Sequence, residues 1–120
     1  MSPFAAKLRA NAETLRDGLA REGFDVSGAA AHVIPIVVGD SELAARIVEF
    51  ALDQGVFAEA VRPPAVPEGT ARVRVSVMAS HQREELREAA VVLGRAALRA
   101  GFRPGAGVPV AAAQGLLRAA

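Results

Sequence analysis

The chain has 120 residues, 52% of them hydrophobic, with 14 basic and 13 acidic side chains and a net charge of +1. This size suits one domain, and the near-neutral charge, with no Trp or Tyr, argues against a nucleic-acid-binding protein. The absence of Cys excludes disulfides and Cys-based zinc sites, and two His are too few for a His-rich metal centre. The longest strongly apolar run, Val33–Val38, is too short to span a bilayer, and residues 1–20 lack a signal peptide's apolar block. We therefore expect a cytoplasmic protein without a nucleic-acid or membrane partner.

Hydrophobic spacing, capping residues and β-branched runs predict six elements in the order α-β-α-β-β-α. They span about residues 2–22, 32–38, 40–54, 56–61, 71–77 and 82–100. Pro35 has no N–H to donate to a sheet ladder, so the strand that contains it is expected at an edge. In the third strand, valines alternate with Arg72, Arg74 and Ser76, which is typical of a strand with one buried face.

This order predicts an α/β fold of the two-layer (α+β) sandwich type. A small, mainly antiparallel sheet of about three strands would carry the helices on one face and the arginines on the other. Residues 1–101 would form one domain. The Gly-, Ala- and Pro-rich segment 102–120 is predicted to be a poorly ordered tail.

The most distinctive segment joins the second and third strands. Three of five consecutive residues within Arg62–Gly69 are prolines, which predicts an extended, stiff loop. The loop presents Arg62 at one end of the sheet, and the next strand presents Arg74 on one face. Guanidinium groups held in this way suit bidentate binding of a carboxylate or phosphate. The pattern alone favours the other interpretation, solvated arginines on the polar face of an amphipathic strand.

His81 and Lys7 are two further residues whose side chains could take part in catalysis or binding. His81, between the third strand and the third helix, either bonds to nearby backbone or acts as an accessory acid-base or phosphate contact. Lys7, the only lysine, is expected to be a solvated charge on the first helix. We predict no catalytic residue and no metal ligand.

Four motifs carry a resemblance to a known family. Arg62–Ser76 follows R-P-P-x-V-P-x-G-T-A-R-x-R-x-S, and Ala79–His81 follows A-x-H. This string resembles the C-terminal small domain of the pyridoxal-phosphate-dependent α-oxoamine synthases, most closely the 8-amino-7-oxononanoate synthases. Ile34–Asp40 is similar to the family's I-P-V-x-V-G-D, and Leu52–Phe57 to its L-x-x-G-V-F. The matches cover about residues 3–100 and imply the small-domain fold of fold-type I pyridoxal-phosphate enzymes.

The resemblance implies substrate handling in a biotin-pathway reaction, the decarboxylative condensation of L-alanine with a pimeloyl thioester. Arg74 would bind the amino acid carboxylate. Arg62 and its loop would line the acyl-thioester side of the cleft, where Ala65 replaces a threonine that usually touches substrate. His81 matches the family's histidine and is a possible accessory group.

What the chain lacks is equally informative. The family binds pyridoxal phosphate on a lysine of a large N-terminal domain, and Lys7 lies in no matching motif. We therefore expect neither stable cofactor binding nor condensation by this chain alone. The implied partner is that large domain, missing here or encoded separately, in a homo-oligomeric parent enzyme. Apolar surface would then be exposed around Phe4, Leu8 and Phe57. A small α/β module that binds an anionic metabolite or a partner protein, and a decayed remnant, are the alternatives.

Overall fold

The computed structural model describes residues 2–26 and 32–102. The six elements follow the predicted order. They are α1 (Pro3–Arg21), β1 (Val33–Gly39), α2 (Ser41–Asp53), β2 (Glu59–Val61), β3 (Ala71–Ser76) and α3 (Arg83–Ala100). The sequence-based fold class is therefore confirmed as a small α/β domain with three helices and a three-stranded antiparallel sheet.

The first two helices begin at side chains that cap them. The Ser2 hydroxyl accepts a hydrogen bond from the backbone N–H of Ala5, at 3.0 Å, at the start of α1. Asp40 caps α2, because its carboxylate accepts a hydrogen bond from the N–H of Leu43 at 2.9 Å. These caps satisfy N–H groups that have no partner within the helix.

The sheet has the strand order β1-β3-β2, with both pairs antiparallel. Pro35 lies on β1, an edge strand, as its missing N–H predicts. β2 is only three residues long, so the prediction of a strand over 56–61 was too long. Only Glu59–Val61 pairs with β3, and the preceding residues 55–58 line a cavity instead of joining the sheet.

The proline-rich loop is not extended as predicted. The N–H of Ala65 donates to the carbonyl of Arg62 at 3.1 Å, and both the N–H and the hydroxyl of Thr70 donate to the carbonyl of Pro67. Proline sets a φ angle that suits turns as well as extended chain, and these hydrogen bonds select the turns.

The core lies between one face of the sheet and the three helices. Ile34 and Ile36 of β1 and Val73 and Val75 of β3 are almost completely buried. Arg72 and Arg74 alternate with these valines and therefore lie on the opposite face. The helices thus cover one face of the sheet, as predicted.

The predicted domain boundary falls just after α3. Phe102 stacks on Phe24 with ring centroids 6.3 Å apart, and its N–H donates to the carbonyl of Ala97. The rest of the predicted tail, 103–120, lies outside the described residues. Over residues 2–26 and 32–102, no helix is long and apolar enough to cross a membrane.

Candidate functional site

A cavity of about 390 Å³ is lined on one side by residues 55–58, which precede β2. The end of β3, the loop before α3 and the first turns of α3 form its other walls. Its volume is within the range of about 300–1,000 Å³ typical of small-ligand sites. Its charged or titratable lining residues are Glu59, Arg74, His81 and Glu85.

Arg74 is the cationic group of this cavity. The register of the sheet sets it directly opposite Glu59 of β2, and its Nη2 donates to the Glu59 Oε1 at 3.0 Å. The two side chains are 45% and 54% exposed. Ion pairs exposed to this degree stabilise a protein by at most about 1 kcal/mol. Arg74 can therefore exchange Glu59 for the carboxylate of a ligand at little cost.

His81 lies at another wall of the cavity, in the turn Met78–His81. The imidazole Nδ1 of His81 accepts a hydrogen bond from the backbone N–H of Met78 at 3.0 Å. The backbone N–H of His81 donates to the carbonyl of Met78 at 3.1 Å. The backbone bond considered from the sequence is therefore present. Because Nδ1 is an acceptor, the neutral ring carries its proton on Nε2, which is a hydrogen-bond donor.

The other two predicted site residues lie outside this cavity. Arg62 and Ala65 follow β2 at the end remote from Glu59, and both are exposed. Arg62 is three residues along the chain from Glu59, about 10 Å of extended backbone. The structure thus brings Arg74 and His81 to one cavity and leaves Arg62 and Ala65 in the proline loop.

Sequence reasoning missed two residues that shape the site. Glu59, the carboxylate partner of Arg74, carries no local signal, because only strand pairing brings it there. Asn11 donates to the loop that holds His81, and the sequence carries a weak signal for this role. Asn11 falls on the apolar stripe of α1, between Leu8 and Leu15, where a polar side chain must find buried partners.

Comparison with known proteins identifies the family. The family model for aminotransferase class I and II matches residues 2–93. The chain belongs to the aminotransferase class I and II family. One relative, the 8-amino-7-oxononanoate synthase of Citrifermentans bemidjiense, is 39% identical over 87 residues, which are 72% of this chain and 22% of that protein. The chain thus spans about a quarter of the length of the curated relatives it matches.

Solved structures of aminotransferase family enzymes share the fold. The serine palmitoyltransferase of Sphingomonas wittichii superposes with a TM-score of 0.73 at 26% identity, over 80% of this chain and 25% of that one. A structure of SPT with PLP superposes with a TM-score of 0.74 at 28% identity, over the same shares of the two chains. Pyridoxal phosphate is therefore a cofactor of the parent family.

The residues of this chain do not fit covalent attachment of that cofactor. Attachment needs a lysine amine at the site. Lys7 is exposed on α1, does not line the cavity, and donates from Nζ to the carbonyl of Ala79 at 3.0 Å. It is thus not simply a solvated charge, as the sequence suggested, but a second tie between α1 and the loop before α3. Within the described residues, no three potential metal-ligating side chains come together.

Proposed function

We propose that this chain is the C-terminal small domain of an 8-amino-7-oxononanoate synthase-like acyltransferase. It would handle substrate in the decarboxylative condensation of L-alanine with a pimeloyl thioester. Arg74 binds the carboxylate of the amino acid, and Arg62 with its loop, including Ala65, borders the acyl chain. The pyridoxal phosphate and its lysine come from a large domain, in a longer protein or a separate chain.

The observation that carries this proposal is the Arg74–Glu59 pair at the cavity. The guanidinium already holds a carboxylate there at 3.0 Å, in a geometry imposed by two paired strands. Glu59 stands in for the carboxylate of a substrate, and the half-exposed pair leaves room for exchange. A cavity next to this pair provides space for the rest of a small substrate.

Exposed apolar side chains support the proposal that a partner domain packs near this cavity. Phe57 and Met78, which line the cavity, are 70% and 57% exposed, and Phe4 is 67% exposed. Leu8, in contrast, is partly buried. Large exposed apolar groups around a ligand cavity are typical of an interaction surface. We assign this surface to the large domain, and homo-oligomerisation to the assembled enzyme.

A chimera tests the proposal. The segment of the Citrifermentans bemidjiense enzyme that matches this chain is replaced with residues 2–102, and product formation from L-alanine and pimeloyl-CoA is measured. We expect an active chimera. Its Arg74→Ala variant is expected to raise KM for alanine by about 10-fold or more, because a charge-assisted hydrogen bond is lost. Arg74→Lys should recover part of that loss.

The matched control is Arg87→Ala, which removes an exposed arginine on α3 away from the cavity and should leave KM unchanged. A folded, cofactor-loaded chimera that makes no product would refute the proposal. So would an active chimera in which Arg74→Ala and Arg87→Ala behave alike.

A second candidate is favoured by the lining of the cavity, where Arg74 and His81 are both suited to contact an anion. An independent anion-binding module would bind a small dicarboxylate such as pimelate without any large domain. Calorimetric titration of the 120-residue chain with pimelate distinguishes the two candidates. Binding that depends on Arg74, together with an inactive chimera, would favour the module.

A further inference from the structure

The buried side chain of Asn11 is the starting point. Asn11 lies in the middle of α1 and is 4% exposed, and within the described residues it is the one polar side chain that is fully buried. Burying an amide is costly unless it is hydrogen-bonded. Its amide nitrogen lies 2.9 Å from the carbonyl oxygens of Met78 and His81 and 3.3 Å from that of Ala79.

These contacts hold both ends of one turn. Met78 and His81 are already joined by the two reciprocal hydrogen bonds described above. Asn11 donates to the carbonyl groups of the same two residues, from 67 and 70 positions away in the chain. Lys7 of α1 also donates to this turn, at the carbonyl of Ala79, but Asn11 is the α1 side chain that bonds to both of its ends. Asn11 therefore contributes strongly to where the turn lies relative to α1.

The turn determines which ring nitrogen of His81 carries the proton that the neutral imidazole can donate. As long as the N–H of Met78 points at Nδ1, the proton of the neutral ring stays on Nε2. His81 and Arg74 line the same cavity. A neutral donor and a guanidinium that line one cavity suit an anion that needs more than one hydrogen bond.

We propose that Asn11 is a positioning residue of this cavity. It holds the Met78–His81 turn so that His81 presents an Nε2–H donor to an anion bound at Arg74. Only the identity of that anion, a substrate carboxylate, rests on the proposed function. The positioning itself is a property of this chain and is measurable without activity.

Nitrogen NMR of the imidazole rings provides the first test, on the 120-residue chain at a pH where both histidines are neutral. His32 is exposed and serves as the internal reference. We expect His81 in the native chain to be almost entirely the Nε2–H tautomer. In Asn11→Ala its tautomer ratio should shift about fivefold toward that of His32, as expected for loss of one ordinary hydrogen bond. Asn11→Ser, which keeps one donor, should lie between the two.

Thr14→Val is the matched control, because it removes a polar side chain from the same helix whose hydroxyl bonds only within α1, to Ala10. It should leave the tautomer ratio of His81 unchanged. An unchanged ratio in both Asn11 variants, with the helical circular dichroism retained, would overturn the positioning role. Asn11→Ser is the milder variant and keeps the test decisive if Asn11→Ala does not fold.

The chimera supplies the second readout. Asn11→Ala and His81→Ala should each raise KM for alanine about threefold or more with kcat within about twofold, and their effects should not add. Additive effects would overturn the claim that Asn11 acts through His81. If the tautomer shifts as expected while the unmutated chimera is inactive, the positioning role stands and the proposed function fails.

Discussion

The crossing of α1 and α3 permits a quantitative prediction about Gly18. A Cβ added at Gly18 would lie 2.8 Å from the Cβ of Ala90, whereas carbon atoms in good contact are about 3.5–4.0 Å apart. Ala90 has no flexible side chain that could move away, so the helices themselves must separate by about 1 Å. Overpacking of this kind costs about 1–3 kcal/mol. The gain in helix propensity from glycine to alanine is about 1 kcal/mol.

The balance predicts that Gly18→Ala lowers the free energy of unfolding by about 1 kcal/mol, because the steric cost exceeds the propensity gain. Gly94→Ala on α3 is the matched comparison. There the new methyl group would meet the carboxylate of Glu22, the mobile end of a partly exposed side chain. That side chain can rotate away, so Gly94→Ala should raise the free energy of unfolding by about 0.5–1 kcal/mol.

Urea unfolding followed by far-ultraviolet circular dichroism measures these differences. In thermal unfolding, the Tm should move by about 4–8 °C for each kcal/mol of change in the free energy of unfolding, for a domain of this size. Ala90→Gly added to Gly18→Ala should restore near-native stability, because it removes the other methyl group of the close contact. The reasoning is refuted if Gly18→Ala is as stable as Gly94→Ala, or if Ala90→Gly fails to rescue it.

Three further predictions concern the cap, the core and the ion pair. Asp40→Ala should destabilise the chain by about 1 kcal/mol in urea unfolding, since α2 loses the N-cap bond to Leu43. Leu93→Ala, at a fully buried position of α3, should cost about 2–5 kcal/mol, whereas Leu98→Ala, 61% exposed on the same helix, should change stability by less than about 0.5 kcal/mol. Glu59→Gln should alter the free energy of unfolding by less than about 1 kcal/mol, because its ion pair is half exposed; a larger loss would mean that Arg74 is not free to exchange partners.

The candidate site was only partly predictable from the sequence. Arg74 and His81 were singled out from a motif, and the structure sets both at one cavity. Their contacts could not be predicted, because they depend on pairing across the chain. Glu59 reaches Arg74 only through the β2–β3 register, and Asn11 reaches the turn only through the docking of α1. The functional roles of these residues stay predictions until the variants are measured.

The sequence by itself determined the order of the elements, the buried face of β3 and the edge position of β1. Each of these follows from local rules: a period of two or of 3.6 residues, a capping side chain, or the N–H that Pro35 lacks. Tertiary structure alone decided the length of β2, the turns in the proline loop and the cavity beside Arg74. These features depend on which backbone groups find partners elsewhere in the chain. No local sequence pattern encodes these pairings, because they form only when the helices pack onto the sheet.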